Sequence, residues 1–391
     1  MYLKDSGNIS QPTSWESEEL YSSADIFFSS LEKSINEASS SVDLETYIFE
    51  DDELGRRIAE SLISAASRGV AVRVIVDGVG SQGWIFSIGA RLRAHGVQIK
   101  VYHQLPWERL FSVGSRKEGD PIWIKLFKVI NRRNHRKLCI IDGTTAWVGS
   151  MNISDVSLTS VNGQQAWREM GIKVRGEGIK FLHAAFELTW TPALFRFRKL
   201  RRQALKLILQ SRFSSVRLNA SRRLRTTLYR DLLNTIVNAK QRVWIATAYF
   251  IPSQDLIRAL GQASKNNVDV RIVVAASSDH FFMTWACSVF QNILLGLGVK
   301  IFAYRPANFH AKYMIIDDWA MLGSSNLNHR SLFHDLEVDL TTKTPMTLKA
   351  MSQEFDSDTG LSTPITSEGE ARPAWRHRLL GRIVLFCRYF L

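Results

Sequence analysis

The chain has 391 residues, 45% of them apolar, which is enough for two domains that each bury a core and excludes a disordered chain. A formal charge of +13 points to partners that carry phosphates, anionic lipid or nucleic acid, and does not choose between them. Cys139, Cys287 and Cys387 lie far apart with no CxxC pair, which excludes a zinc ribbon and a disulfide framework and fits a reducing compartment.

Residues 1–17 are polar, with no apolar core like that of a signal peptide, and read as an N-terminal extension from which export is not expected. Val42 to Phe49 (VDLETYIF) predicts a strand. Ala65 to Asp77 (AASRGVAVRVIVD) predicts a helix end running into a buried strand, and Gly96 to Tyr102 (GVQIKVY) another strand. These belong to a first domain at residues 18–195. A basic linker, 196–225, follows. The same text then returns as Val243 to Ile251 (VWIATAYFI), Ala263 to Ala275 (ASKNNVDVRIVVA) and Gly298 to Tyr304 (GVKIFAY), in a second domain at residues 226–360. Three matches in one order make a duplication. Strands alternating with helices predict an α/β fold: two similar domains, each a mostly parallel mixed sheet flanked by helices, related by a pseudo-twofold axis with one shared active site.

No stretch reaches the roughly 20 apolar residues of a spanning helix. The richest, Phe281 to Tyr304, is broken by Gly296, Gly298 and Lys300. Any membrane contact is therefore expected to be peripheral.

Register exposes an insertion. The glycines at 96 and 298 are offset by 202 positions, but the next matched residues, His135 and His310, by 175, so the first copy has gained 27 residues. That segment, 104–134, mixes Trp107, Phe111, Trp123 and Phe127 with Arg116, Lys117, Lys125, Lys128, Arg132 and Arg133. It suits a substrate-facing lid or an interfacial segment, or a packed helix with a basic face.

The histidines open one pattern twice: His135-Arg-Lys137 with Asp142 and then Gly-Ser150-Met-Asn152, and His310-Ala-Lys312 with Asp317 and then Gly-Ser324-Ser-Asn326. In an extended segment residues i and i+2 share a face, so each imidazole projects with its lysine while Arg136 or Ala311 points away. Packed about a twofold axis, the two histidines can face one phosphate. One imidazole then attacks phosphorus while the other, protonated, supplies the leaving alkoxide with a proton. Lys137, Lys312, Asn152, Asn326, Ser150 and Ser324 would donate to the phosphoryl oxygens. The aspartates, at the strand ends, suit loop support better than attack. Glu169 (REMGIKV) and Glu337 (LEVDLTT), in matching strand-like contexts, are the candidates to orient the histidines; a surface glutamate on a strand is the alternative. No ligand-spaced cluster appears, and the scheme needs no metal or cofactor.

These residues resemble the phospholipase D superfamily, whose signature is this HKD motif in two copies, over about residues 18 to 345. YIFEDDELG (47–55), IVDGVGS (75–81), AYFIPS (248–253) and LGSSNLNHRS (322–331) are similar to bacterial cardiolipin synthases, particularly the short form called cardiolipin synthase B. The resemblance implies phospholipase D-like domains and transfer of a phosphatidyl group between two phosphatidylglycerol molecules, giving cardiolipin and glycerol, at the cytoplasmic face of the bacterial inner membrane. It implies His135 and His310 as nucleophile and acid/base, with family habit favouring His135 as nucleophile. Lys137 and Lys312 would bind phosphate, and Asp142 and Asp317 are the motif aspartates in the catalytic set. Glu169 stands where related enzymes often carry Asp. A phospholipid hydrolase or a nuclease of the same superfamily would use the same dyad.

Residues 196–230 hold twelve Lys/Arg and no Asp/Glu, interleaved with Phe197, Leu200, Leu205, Leu207, Ile208 and Phe213. This suits a basic helix on an anionic membrane, or a solvated linker. In the tail, 361–391, Trp375, Leu379, Ile383, Phe386 and Phe390 alternate with arginines at helical spacing, and the Ser/Thr/Pro/Glu-rich run 357–370 reads as a spacer. Apolar groups among the charges favour lipid over nucleic acid, whose backbone needs mainly charge.

Overall fold

The computed structural model describes residues 15–104, 132–276 and 281–366. The first half builds strands β1 (Ser17–Tyr21), β2 (Ser41–Thr46), β3 (Ala71–Asp77), β4 (Gln98–Tyr102), β5 (Leu138–Ile141), β6 (Thr145–Gly149) and β7 (Gly171–Arg175). Its helices are α1 (Ala24–Glu37), α2 (Glu53–Ser67), α3 (Ile88–Ala94) and α4 (Ile179–Trp190). After helix α5 (Arg198–Gln210) come β8 (Val216–Leu218), α6 (Arg222–Val237), β9 (Arg242–Thr247), α7 (Gln254–Lys265), β10 (Asp269–Ala275), α8 (Phe281–Gly296) and β11 (Lys300–Tyr304). The chain continues through β12 (Tyr313–Ile316), β13 (Trp319–Gly323), β14 (Val338–Thr342), α9 (Pro345–Gly360) and β15 (Ser362–Ile365). Ser23, Asp52, Ser221 and Ser253 cap four of the helices, each side chain accepting an N–H from the first turn.

Strand order shows the duplication. The first sheet runs β1-β7-β6-β5-β2-β3-β4 and the second β8-β14-β13-β12-β9-β10-β11, with β15 added beyond β11. The sheets are mixed, and their parallel part is smaller than the strand–helix alternation predicts. It comprises β2-β3-β4 and β9-β10-β11. The remaining strands pair antiparallel. The HKD segments are the reason: each turns back within two or three residues into β6 or β13, and so short a connection joins only antiparallel neighbours.

Side-chain alternation then divides the core. Leu138 and Ile140 of β5 face a cluster shared with Tyr313 and Ile315 of β12, Ala246 of β9 and Phe186 of α4, while Cys139 and Ile141 face α1 and α2. Met314 and Ile316 face the second half's own helices. The two halves thus share a central core and are not simply domains side by side.

Two expectations change at the boundaries. The basic stretch 196–225 is structured: Ala204 and Ile208 of α5 are buried in the shared core, and β8 pairs with β14 inside the second sheet. The run from 357 is no spacer at its start, since β15 pairs with β11 and the Asp358 carboxylate takes hydrogen bonds from Arg168 and Tyr313. The apolar segment from Phe281 divides into α8 and β11, as its break at Gly296, Gly298 and Lys300 predicts. Among the described residues no helix is long and apolar enough to cross a membrane. The tail beyond 366 and most of the inserted segment, 105–131, lie outside the described residues. Of the insertion's arginines, Arg133 is buried at 1% exposure and paired with Asp77 at 3.2 Å, so it presents no basic face to solvent.

Candidate active site

Each motif enters its sheet at β5 or β12, with the histidine just before the strand and the aspartate just after it. Seven residues of nearly extended chain at ~3.3 Å each put these two groups roughly 20 Å apart. Asp142, in a left-handed turn at φ 52, accepts the backbone N–H groups of Ser39, Ser40 and Ser41 and the hydroxyls of Ser39 and Ser40. Asp317, at φ 50, accepts those of Lys240, Gln241 and Arg242. Both aspartates therefore anchor the loop that enters β2 or β9, away from the histidines.

The histidines meet at the seam between halves, and their carboxylates are exchanged across it. His135 Nδ1 lies 3.0 Å from Glu337 Oε1, and His310 Nδ1 lies 2.7 Å from Glu169 Oε1. Backbone bonds carry the same exchange: His135 N donates to Leu336 O, and His310 N to Arg168 O, each at 2.9 Å. With Nδ1 facing a carboxylate, Nε2 of both rings is left for a substrate. Lys137 and Lys312 Nζ fold back onto the carbonyls of His135 and His310, at 2.9 and 2.5 Å. Each lysine also opposes the charging of the other half's histidine, as expected of four groups around one small space.

The GSxN element explains how the carboxylates are held. A Cβ on Gly149 would sit 2.7 Å from Met170 O, and one on Gly323 2.3 Å from Val338 O. Only glycine lets the Glu-bearing segment approach so closely. The next serine clips that segment: Ser150 Oγ donates to Met170 O and accepts Met170 N–H, while Ser324 Oγ donates to Glu337 and accepts Val338 N–H. Ser150 and Ser324, expected as phosphate donors, are fully buried and spent on this positioning. Asn152 and Asn326 are buried too, and their Oδ1 atoms have no partner among the described residues.

The two half-sites differ in the balance of burial and charge at their carboxylates. Burial pushes Glu337 up to about 7 against the pull of Lys137 and Ser324. Burial also raises Glu169, but the charge and hydrogen bond of His310, the charge of Lys312 and a hydrogen bond from Ser150 outweigh it and hold the group down to about 2. Burial, followed by the charges of Lys137 and Lys312, drives His135 well below the ordinary histidine range. Burial also brings Lys137 down to about 7, with Glu337 opposing.

Several neighbours carried no motif signal. Tyr47 packs edge-on against His135 at 5.0 Å, and Trp167 lies 5.4 Å from His310. Both aromatics come from the first half; in the strand register Tyr47 corresponds to Ala248. This asymmetry is visible in the repeat itself. Asp335 accepts Arg133 N–H and Arg330 Nε, and Arg136 reaches Glu337 O, Ala185 O and Thr189 Oγ1. Among the described residues no three His, Cys, Asp or Glu side chains converge as a metal site.

The family model described as "Cardiolipin synthase, PLD-like domain" matches residues 31–190 and again 232–359. The chain belongs to this family. It is 29% identical over 359 residues to a cardiolipin synthase of Clostridium perfringens, covering 90% of this chain and 72% of that protein. Cardiolipin synthase A of Pseudomonas fluorescens is 30% identical over 364 residues, covering 91% and 71%. Among solved structures, a phosphatidylserine synthase of Haemophilus influenzae superposes with a TM-score of 0.66 at 13% identity, over 95% of this chain and 94% of that one. A polyphosphate kinase of Porphyromonas gingivalis does so with 0.57 at 11% identity, over 95% and 56%. At such identities these two likenesses concern the fold alone.

Proposed function

We propose that this member of the cardiolipin synthase family transfers the phosphatidyl group of one phosphatidylglycerol to the terminal hydroxyl of another, as its named relatives suggest. The observation that carries this reading is the exchanged pair of His–Glu contacts, with a lysine from each half beside them. His135 Nε2 attacks phosphorus; the bond from phosphorus to the glycerol oxygen breaks, and that oxygen takes the proton of His310 Nε2. His310 then removes the proton of the incoming hydroxyl. The hydroxyl oxygen bonds to phosphorus, the bond to His135 breaks, and cardiolipin and glycerol are the products. Water entering instead would give phosphatidic acid.

Burial lowers both histidines, and His135, driven well below the ordinary range, is assigned as nucleophile. His310 is assigned as proton donor because Glu169, 2.7 Å from its Nδ1, opposes the lowering that burial and the lysines impose on it. Lys137, Lys312, Asn152 and Asn326 act on the phosphoryl oxygens, and Glu169 and Glu337 fix the tautomers. The enzyme works peripherally, at the cytoplasmic face of the membrane that holds its lipid. Incubation with phosphatidylglycerol vesicles, with products resolved by mass, is expected to yield cardiolipin and glycerol. Phosphatidic acid alone would assign a hydrolase, and no lipid product with cleavage of single-stranded DNA a nuclease. H135A and H310A should each lower turnover by at least about a thousandfold; near wild-type turnover in either would refute the shared site.

A further inference from the structure

Thirteen large apolar side chains are exposed among the described residues, and six of them, Leu194, Phe195, Leu200, Leu207, Leu209 and Phe213, fall within one stretch of twenty residues. Such a concentration marks a contact surface. Phe195 is 86% exposed. Helix α5, in the middle of the stretch, carries Arg198, Lys199, Arg201, Arg202 and Lys206 and no carboxylate.

The helix lies on the body by one face only, with Ala204 and Ile208 turned into the shared core. By the helical period, Lys199, Arg202 and Lys206 form a strip on the opposite face, bordered by Leu200 and Leu207 on one side and Leu209 on the other. Arg212 stacks over the Phe213 ring at 4.5 Å. At the other end an open notch of about 430 Å³, counting the solvent at its mouth, is lined by Ala193, Leu194, Phe195, Arg198 and Arg201. Arg201 is fixed there by hydrogen bonds to the Leu188 and Thr191 carbonyls at the end of α4.

We propose that residues 194–213 are the face by which the protein docks on an anionic bilayer, with a phospholipid headgroup seated between Arg198 and Arg201. The phosphates meet the basic strip while Phe195, Leu200 and Phe213 enter the boundary with the acyl chains. Nucleic acid would use the cations and leave the leucines in water. A second copy of this chain would oppose one cationic strip with another. The face is connected to the site through α4: α5 packs on α4, whose Ala185 carbonyl and Thr189 hydroxyl accept from Arg136, the neighbour of His135. This inference deepens the phosphatidyl-transfer reading and rests on it for its biological sense.

The full-length chain is tested by sedimentation with vesicles of phosphatidylcholine alone or mixed with phosphatidylglycerol. Wild type should bind the mixed vesicles, less so as salt rises, and bind the neutral ones weakly. K199Q/R202Q/K206Q and F195S/L200S/F213S, at surface positions, should each bind mixed vesicles at least about tenfold less tightly. Both should keep wild-type turnover on phosphatidylglycerol dispersed in detergent, which also reports that they fold. Loss within twofold in either variant, or equal wild-type binding to neutral vesicles, would overturn the proposal. A dimer that the same variants dissociate, with vesicle binding unchanged, would give the face to a second copy. If wild type docks as described but makes no product from phosphatidylglycerol in either form, the functional reading fails and the docking face stands.

Discussion

Glu169 and Glu337 occupy equivalent places, yet the pull of nearby cations dominates at one and burial at the other, and this gives them opposite pH behaviour. Glu169, held down to about 2 in the fold, contributes stability that is complete above its unfolded value near 4.5 and is lost as pH falls toward 2. Glu337, raised to about 7, acts in the other direction: its contribution is complete below about 4.5 and is lost as pH rises through 7. Urea midpoints should therefore lose less between pH 5 and pH 3 in E169Q than in wild type. In E337Q they should lose less between pH 5 and pH 8. Identical pH dependence in wild type and both variants would contradict the charge asymmetry. In activity, E337Q should lower kcat by about a hundredfold to ten-thousandfold with little change in KM, because an amide can stabilise the wrong tautomer of His135.

For the turns that follow β5 and β12, the expectation is structural. Asp142 and Asp317 accept three backbone N–H groups each at the entry to the neighbouring strand. D142A should destabilise the protein by about 1–3 kcal/mol, the worth of hydrogen bonds to a charged group, while kcat per folded molecule stays near wild type. Chemical denaturation with active-site-normalised rates checks both halves of that statement. A large fall in kcat at unchanged stability would return the aspartate to the chemistry. Repetition of HxKxxxxD marked the element in the sequence. The separate jobs of its two ends emerged only when the strand between them was seen to span the sheet.

Across the whole molecule, the halves are joined by more than the shared core. Arg168, adjacent to Glu169, bonds Asp358 at 2.7 Å and Glu354 at 2.8 Å on α9 of the second half, and its carbonyl receives His310 N–H. R168A leaves Asp358 buried with Tyr313 as its remaining side-chain partner, and should cost about 3–5 kcal/mol. Calorimetry should show the cooperative transition shifted down in temperature, with activity falling alongside it; an unchanged transition would mean that the seam does not depend on this contact.

The sequence by itself determined the duplication, the α/β class and the two histidine–lysine pairs. Those signals are local or repeat at a constant offset: a two-residue strand period, glycine at fixed steps, and one motif written twice. It also supplied Glu169 and Glu337 as candidates, because both stand in strand-like text downstream of a motif. Only the tertiary structure decided that each glutamate faces the histidine of the opposite half. These partners are 202 and 141 positions apart in the chain, and no periodicity reaches that far. Their pairing follows from how two buried faces pack against one another, as do the approach of Tyr47 and Trp167 to the rings and the use of both motif serines to hold carboxylates.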